Sequence, residues 1–239
     1  MTWSIIARDV SGAFGVAVAS RFFAVGALCP HARSNVGVLA TQALVNPMYA
    51  APALAGMAQG MAPALIVEQL TAADEGRDHR QLHLIDAHGR VAAYTGAACI
   101  DWCGHMAGHD FSVAGNMLTG PQVIEATAQA YVANVGLAFA ERLIAALAAG
   151  EAAGGDKRGK QAAALLIYST EDYCALDLRV DDHAEPVQEL QRLYQKSLER
   201  FQAFTACLPS HQRPAGITDR ALIETEVERF HAARNRAGA

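Results

Sequence analysis

Threonine at position 2 of this 239-residue chain carries two groups that could do chemistry together. An initiator methionine is generally removed when the next residue is small, and loss of Met1 would leave Thr2 with a free α-amine beside its own Oγ. That amine, with a reference pKa of about 7.7–8.0, can accept the hydroxyl proton. Nucleophile and general base for acyl transfer then come from one residue, without a histidine. The plainer alternative is a β-branched residue that simply begins a strand. Asn116, flanked by Gly115 at the end of an apolar run from Phe111, offers an amide N–H that can stabilise a developing oxyanion, where one donor is worth roughly 3 kcal/mol. An asparagine satisfying a turn at a strand end explains it equally well.

Further candidates surround these two. Arg21 follows an apolar strand, so its guanidinium is expected either to hold a substrate carboxylate through two parallel hydrogen bonds or to be saturated by Asp156, Asp9 or backbone carbonyls. Gln42 and Asn46 could line a pocket or cap the segment that starts at Pro47. The stretch Gly154-Gly155-Asp156-Lys157-Arg158-Gly159-Lys160-Gln161 lacks the spacing of a phosphate loop. It reads as a site wall in which Asp156 and Arg158 orient a substrate or the α-amine, or else as a solvated charged loop. Cys99, Cys103, His105 and His109 fall within eleven positions. Zinc accepts such donors, but its usual paired spacing is Cys-x-x-Cys, so incidental thiols and imidazoles in a loop are the expectation, with neither metal nor other cofactor.

Composition narrows the classes. Asp and Glu outnumber Lys and Arg by 24 to 19, a net charge of −5, which disfavours nucleic acid or an anionic membrane as partner. A small molecule or a protein is the expected one, the small molecule an amide substrate. No basic n-region with a long apolar core opens the sequence, and no window holds the roughly 18 apolar residues of a membrane span. A cytoplasmic location is therefore expected, and the five scattered cysteines are read as reduced thiols.

The elements that would position these residues follow from periodicity. Residues 3–8 and 13–20 form a hairpin around Asp9-Val10-Ser11-Gly12, and Val36–Ala43 a third strand. Helices cover Pro47–Gln59 and Pro63–Ala73. A second hairpin spans Leu82–Tyr94, and Phe111–Leu118 is a further strand. A helical pair fills 120–150, interrupted at Gly136. Strands return at Ala163–Ser169 and Cys174–Val180, before tail helices from Pro186 and over Asp219–Ala233. This order is not a strict β-α-β alternation, and it predicts an α+β fold of two antiparallel sheets with helices outside. Residues 1–183 form the expected main domain, and 184–239 a helical extension packed on it. Phe201, Phe204 and Phe230 in that extension raise homo-oligomerisation as an alternative to covering an outer face.

Several motifs carry a resemblance. Val16-Ala17-Val18-Ala19-Ser20-Arg21 resembles the second strand of proteasome β-subunits. Ala19-Ser20-Arg21-Phe22-Phe23-Ala24-Val25-Gly26, Ala40-Thr41-Gln42-Ala43, Thr95-Gly96-Ala97-Ala98-Cys99, Gly115-Asn116-Met117-Leu118, Gly154–Gly159 and Leu178–His183 are similar to a bacterial family of unknown function. That family, the domain of unknown function 1028 family, is grouped with the N-terminal-nucleophile hydrolases. The resemblance implies a four-layer αββα sandwich and, less directly, a hydrolase. The chain departs from the proteasome pattern in two places: Ala19 stands where a carboxylate would be, and no lysine follows on the third strand, where Arg33 is the nearest cation. The expected function is an N-terminal-nucleophile amidohydrolase acting on a small amide, with Thr2 and Asn116 catalytic and Arg21, Gln42, Asp156 and Arg158 binding substrate. The alternatives are a non-catalytic binding or assembly protein on the same fold, and a zinc-stapled hydrolase. Elemental analysis of protein purified without added metal should find no stoichiometric zinc. About one zinc per chain, lost in both Cys99→Ala and His105→Ala, would reverse that reading.

Overall fold

A computed structural model describes residues 2–237. The chain opens with an antiparallel hairpin of β1 (Thr2–Arg8) and β2 (Phe14–Ser20), paired from Thr2 with Ser20 to Arg8 with Phe14. β3 (Pro30–Arg33) and β4 (Gly37–Ala43) form the next hairpin, followed by α1 (Ala50–Ala58) and α2 (Pro63–Ala72). Pro63 sits in the first turn of α2, where its missing N–H costs nothing. Then come β5 (Arg80–Asp86), β6 (Val91–Thr95), β7 (Trp102–Gly108) and β8 (Phe111–Leu118). The helical pair is α3 (Gln122–Ala133) and α4 (Phe139–Ala152), with Gly136 between them. β9 (Ala162–Tyr168) and β10 (Leu176–Val180) return, before α5 (Pro186–Ser197), α6 (Phe201–Thr205) and α7 (Arg220–Ala237).

The fold is α+β with two antiparallel sheets. One has six strands in the order β10-β9-β2-β1-β8-β7, and the other four in the order β3-β4-β5-β6. Two strands escaped the periodicity reading. β3 is short and begins at a proline, and β7 (Trp102-Cys103-Gly104-His105-Met106-Ala107-Gly108) is a partly exposed edge strand without regular polar–apolar alternation, where the expectation is a loop bearing Cys103 and His105.

Strand alternation decides what each sheet presents. In the first hairpin, Ile6, Phe14, Val16 and Val18 point to the second sheet and join Val38, Ala40 and Ile85 in one buried cluster. The opposite face meets helices: a Cβ on Gly15 would strike Leu143 and Phe139, and one on Gly150 would strike Trp3. The second sheet turns Leu39, Leu82 and Leu84 outward, against Tyr49, Ala53 and Met57 of the α1 side and Ile66 and Val67 of α2. Both faces of the central strands are thus covered, which is why β1 and β2 read as nearly unbroken apolar runs.

By contact, the chain divides into one unit of residues 1–191 and a second that begins at Arg192. The second is held within itself by Arg200, whose two terminal nitrogens sit 2.9 and 2.6 Å from the carboxylate of Glu224, and by His231 Nε2, 2.9 Å from the Glu199 carbonyl.

One tight corner positions the start of β5. Gly96 N donates to Arg80 O at 2.9 Å, and a Cβ at Gly96 would run into the backbone oxygens of Arg77 and Asp78. Because those oxygens cannot move as a side chain can, Gly96→Ala should lower unfolding free energy by about 1–3 kcal/mol in denaturant titrations. Gly136→Ala, where nothing lies within 4 Å, should stay within about 0.5 kcal/mol of the parent.

Candidate functional site

Thr2 begins β1 between β2 and β8, opposite Ser20 on one side and Asn116 on the other. It is buried, and its Oγ lies 3.0 Å from Ser20 Oγ. Because cross-strand partners share a face, the group beside Thr2 is Ser20. Ala19 pairs with Trp3 and alternates to the helix side with Gly15. The position where the resemblance leads one to seek a carboxylate therefore faces away from Thr2.

Below Thr2, side-chain amides from three strands form a closed diamond between the sheets. Gln42 Nε2 donates to Gln81 Oε1 at 2.7 Å and to the Thr2 carbonyl at 3.4 Å. Asn116 Nδ2 donates to the same two oxygens at 3.1 and 3.4 Å. Gln81, fully buried, directs its own Nε2 to Thr95 Oγ1, Gly104 O and Gly115 O at 2.9, 3.0 and 2.9 Å. Both Asn116 hydrogens are therefore engaged by protein oxygens. In this arrangement Asn116 fixes the Thr2 carbonyl and spends its N–H groups on protein oxygens.

The network continues inward. Ser4 Oγ donates to Gln42 Oε1 at 2.6 Å and lies 2.9 Å from His83 Nε2, while His83 Nδ1 lies 3.1 Å from Ser112 Oγ. With the Ser4 proton on Gln42, a neutral His83 donates from Nε2 to Ser4 and accepts at Nδ1 from Ser112. Burial, reinforced by His105, pulls the His83 pKa down to about 3. Cys29 Sγ approaches Gln42 Oε1 at 3.8 Å, and burial pushes its thiol far up, so it is an inert apolar neighbour.

Two apolar cavities open at this end of the first sheet. One, of about 440 Å³, is lined by Thr2, Gln42, Val25 and Leu28. The other, of about 380 Å³, is lined by Asn116, Ala98, Ile100 and Arg158. Phe22, Ala43 and Leu44 border both. Ala43 and Met117 on these walls hold φ of 69° and 52°, a left-handed conformation uncommon for non-glycine residues and typical of places where chemistry or binding occurs.

The remaining candidates fall as follows. Asp156 is a staple: its carboxylate takes the backbone N–H groups of Arg21 and Arg158, each at 2.8 Å, and one guanidinium nitrogen of Arg158 at 3.4 Å. Arg21 is exposed, because β2 stops at Ser20 and the chain leaves the sheet. Its guanidinium donates to Arg158 O at 3.1 Å and borders a separate polar hollow with Lys160, Gln161 and Asp182. Asn46 caps: its Oδ1 accepts from Met48 N at 3.1 Å. His105 Nδ1 lies 2.9 Å from Thr95 Oγ1, His109 Nδ1 lies 2.9 Å from Asp110, and the Cys99 and Cys103 thiols turn to carbonyls. Among the described residues no group of three or more His, Cys, Asp or Glu gathers as a metal site, so the zinc-stapled alternative has no assembled ligand set. No described helix is long and apolar enough to cross a membrane.

Residue spacing did not reveal Ser4, Ser20, Gln81, His83 and Ser112. The signal was present in β5, where Gln81 and His83 alternate with Leu82 and Leu84: a strand with leucines on one face and uncharged polar groups on the other can be buried on both sides.

The neutral His83 makes a measurable prediction. Unfolded, it takes a proton near pH 6.5, and folded only near pH 3, so between these values the unfolded state binds more protons. Its contribution to stability is complete above pH 6.5 and is lost as pH falls below it, at up to about 1.4 kcal/mol per pH unit. Denaturant titrations from pH 7 to pH 4 should show that slope in the parent and a flatter one in His83→Gln. Equal slopes would mean that His83 is not held neutral.

A family model described as "Family of unknown function (DUF1028)" matches residues 2–190. The crystal structure of protein SPO2555 from Silicibacter pomeroyi, a member of that family, is similar at 33% identity and a TM-score of 0.84, over 91% of this chain and 99% of that one. Anbu, the ancestral β-subunit from Yersinia bercovieri, is similar at 13% identity and a TM-score of 0.41, over 87% and 98% of the respective chains, a level that carries no functional weight. No curated protein matches the chain.

Proposed function

The chain belongs to the DUF1028 family, a membership that brings no reaction with it, and from the site itself we propose an N-terminal-nucleophile amidohydrolase with Thr2 as its nucleophile. The observation that carries the reading is a buried Thr2 hydroxyl at the start of a central strand, 3.0 Å from Ser20 Oγ and on the wall of a 440 Å³ cavity. The fold assigned with it is the four-layer αββα sandwich. It is supported by the packing of α3 and α4 outside the six-stranded sheet and of α1 and α2 outside the four-stranded one.

Once Met1 is removed, the α-amine of Thr2 takes the Oγ proton as Oγ attacks the amide carbonyl carbon. The tetrahedral adduct collapses, the C–N bond breaks, and the ammonium returns the proton to the departing amine. Water, activated by the same amine, then hydrolyses the ester on Thr2. Gln42 and Asn116 act as positioning residues, since both hold the Thr2 carbonyl and so fix the direction of its side chain. A second reading, a binding or assembly protein on the same fold, is favoured by the engagement of both Asn116 hydrogens and by the lack of a third-strand lysine.

Intact mass and turnover separate the two. Native protein should lack the mass of Met1 and hydrolyse a panel of acyl arylamides. Thr2→Ala should abolish turnover with little loss of thermal stability, and Thr2→Ser should retain it in part. A retained Met1 together with no turnover would overturn the hydrolase reading, and an active Thr2→Ala protein would move the nucleophile elsewhere.

A further inference from the structure

The cavity beside Thr2 and the cavity beside Asn116, which share the wall of Phe22, Ala43 and Leu44, differ in charge, and the difference bears on what would lie across them. In the cavity beside Thr2 the cation is Arg80, and it is neutralised: its Nε lies 3.0 Å from Asp74 Oδ2, and one terminal nitrogen lies 2.6 Å from Leu44 O. Asp74 also accepts from Tyr49 Oη and Asn46 Nδ2, and these bonds, the tyrosine's above all, hold its carboxyl below the usual carboxylate range. Apart from the Thr2 α-amine that the proposed reaction uses as its base, a group entering this cavity meets largely apolar walls and no unpaired charged side chain.

The cavity beside Asn116 is different. Its cation is Arg158, exposed, with Asp156 as its one ion-pair partner among the described residues, at 3.4 Å through a single nitrogen. That carboxylate is already shared with the backbone N–H groups of Arg21 and Arg158, so most of the guanidinium fork remains open. Among the described residues lining this cavity there is no Asp or Glu. A largely apolar chamber, with His79, Cys99 and Asn116 as its other polar side chains and one arginine at its edge, suits an apolar group that carries a carboxylate, the planar anion that a guanidinium binds through two hydrogen bonds.

We propose that the substrate is an N-acylated apolar amino acid, its neutral acyl group in the cavity beside Thr2 and its amino-acid half in the cavity beside Asn116, with the α-carboxylate on Arg158. The shared wall of Phe22, Ala43 and Leu44 then lies against the scissile amide, close to Thr2. Cavities of about 440 and 380 Å³ each have room for a group of that size. This rests on the hydrolase reading. Water adds across the amide: hydroxyl goes to the acyl carbon and hydrogen to nitrogen, releasing a carboxylic acid and a free amino acid.

Binding is tested apart from turnover, by calorimetry on the Thr2→Ala protein with N-phenylacetyl-leucine and its uncharged carboxamide. The acid should bind at least about tenfold more tightly than the carboxamide. Arg158→Gln should remove that preference and leave the carboxamide within about twofold of its parent affinity. Arg158→Lys, which keeps the charge without the fork, should fall between. Equal affinities in the parent, a preference that survives Arg158→Gln, binding of neither compound, or tighter binding of a compound whose carboxylate is on the acyl half instead would overturn the proposal. A carboxylate preference in a protein that hydrolyses no amide leaves the ligand class standing and removes the hydrolase reading. Hydrolysis of arylamides without that preference does the reverse.

Discussion

Two NH₂ groups shared between the same two oxygens hold the centre of this molecule together. Gln42 and Asn116 each donate once to the Thr2 carbonyl and once to Gln81 Oε1. Four polar groups that would each be costly if buried alone satisfy one another between two otherwise apolar faces. The arrangement fixes strand register, because a slip of one residue in β1, β4, β5 or β8 would turn a member of the diamond to the wrong face. It also ties β1 and β8 of the first sheet to β4 and β5 of the second at one height. Apolar packing drives the sheets together, but it is indifferent to sliding. The amides are what make one alignment better than its neighbours.

Thr2 inherits its placement from that alignment. Its carbonyl is gripped from both sides, and its hydroxyl is left to Ser20 and the cavity. The nucleophile we propose would need a fixed direction more than many partners, and the backbone oxygen supplies that direction while the hydroxyl stays on the cavity wall. The same geometry explains why a neutral histidine lies deeper in the stack. Ser4 and Ser112 satisfy both ring nitrogens of His83, and a proton there would find no carboxylate to balance it.

Much of the scaffold was legible because β1, β2, β8 and β9 are buried on both faces and therefore spell continuous apolar runs, and because turns and prolines mark where they and the helices stop. β7 was not legible. As a partly exposed edge strand interrupted by Gly104 and by a register shift after Trp102, it lacks clean alternation, so its sequence resembles a loop and its thiol and imidazole look like ligands. The site was legible only at its ends. Thr2 and Asn116 stood out for their chemistry, but Gln81 and His83 lie about eighty residues from the threonine in sequence, and only the stacking of two sheets brings them beneath it. Arg21 is set by a local feature that strand periodicity does not carry: the chain turns out of the sheet at Ser20, and one residue is enough to bring a guanidinium to the rim of a polar hollow.

The Asp74 cluster makes no contact with the Thr2 hydroxyl, yet it braces a wall of the cavity beside it. Tyr49 at the start of α1, Asn46 in the preceding turn, Arg80 at the start of β5 and the Gly76 amide all converge on this carboxylate, and Arg80 in turn clasps the Leu44 carbonyl. The wall that Leu44 contributes is therefore braced before any ligand arrives. A guest does not have to bring order to a floppy loop, so little of its contact energy is lost to stiffening the host. Selectivity then comes from fit, because a braced wall rejects a wrong outline where a soft one would mould to it.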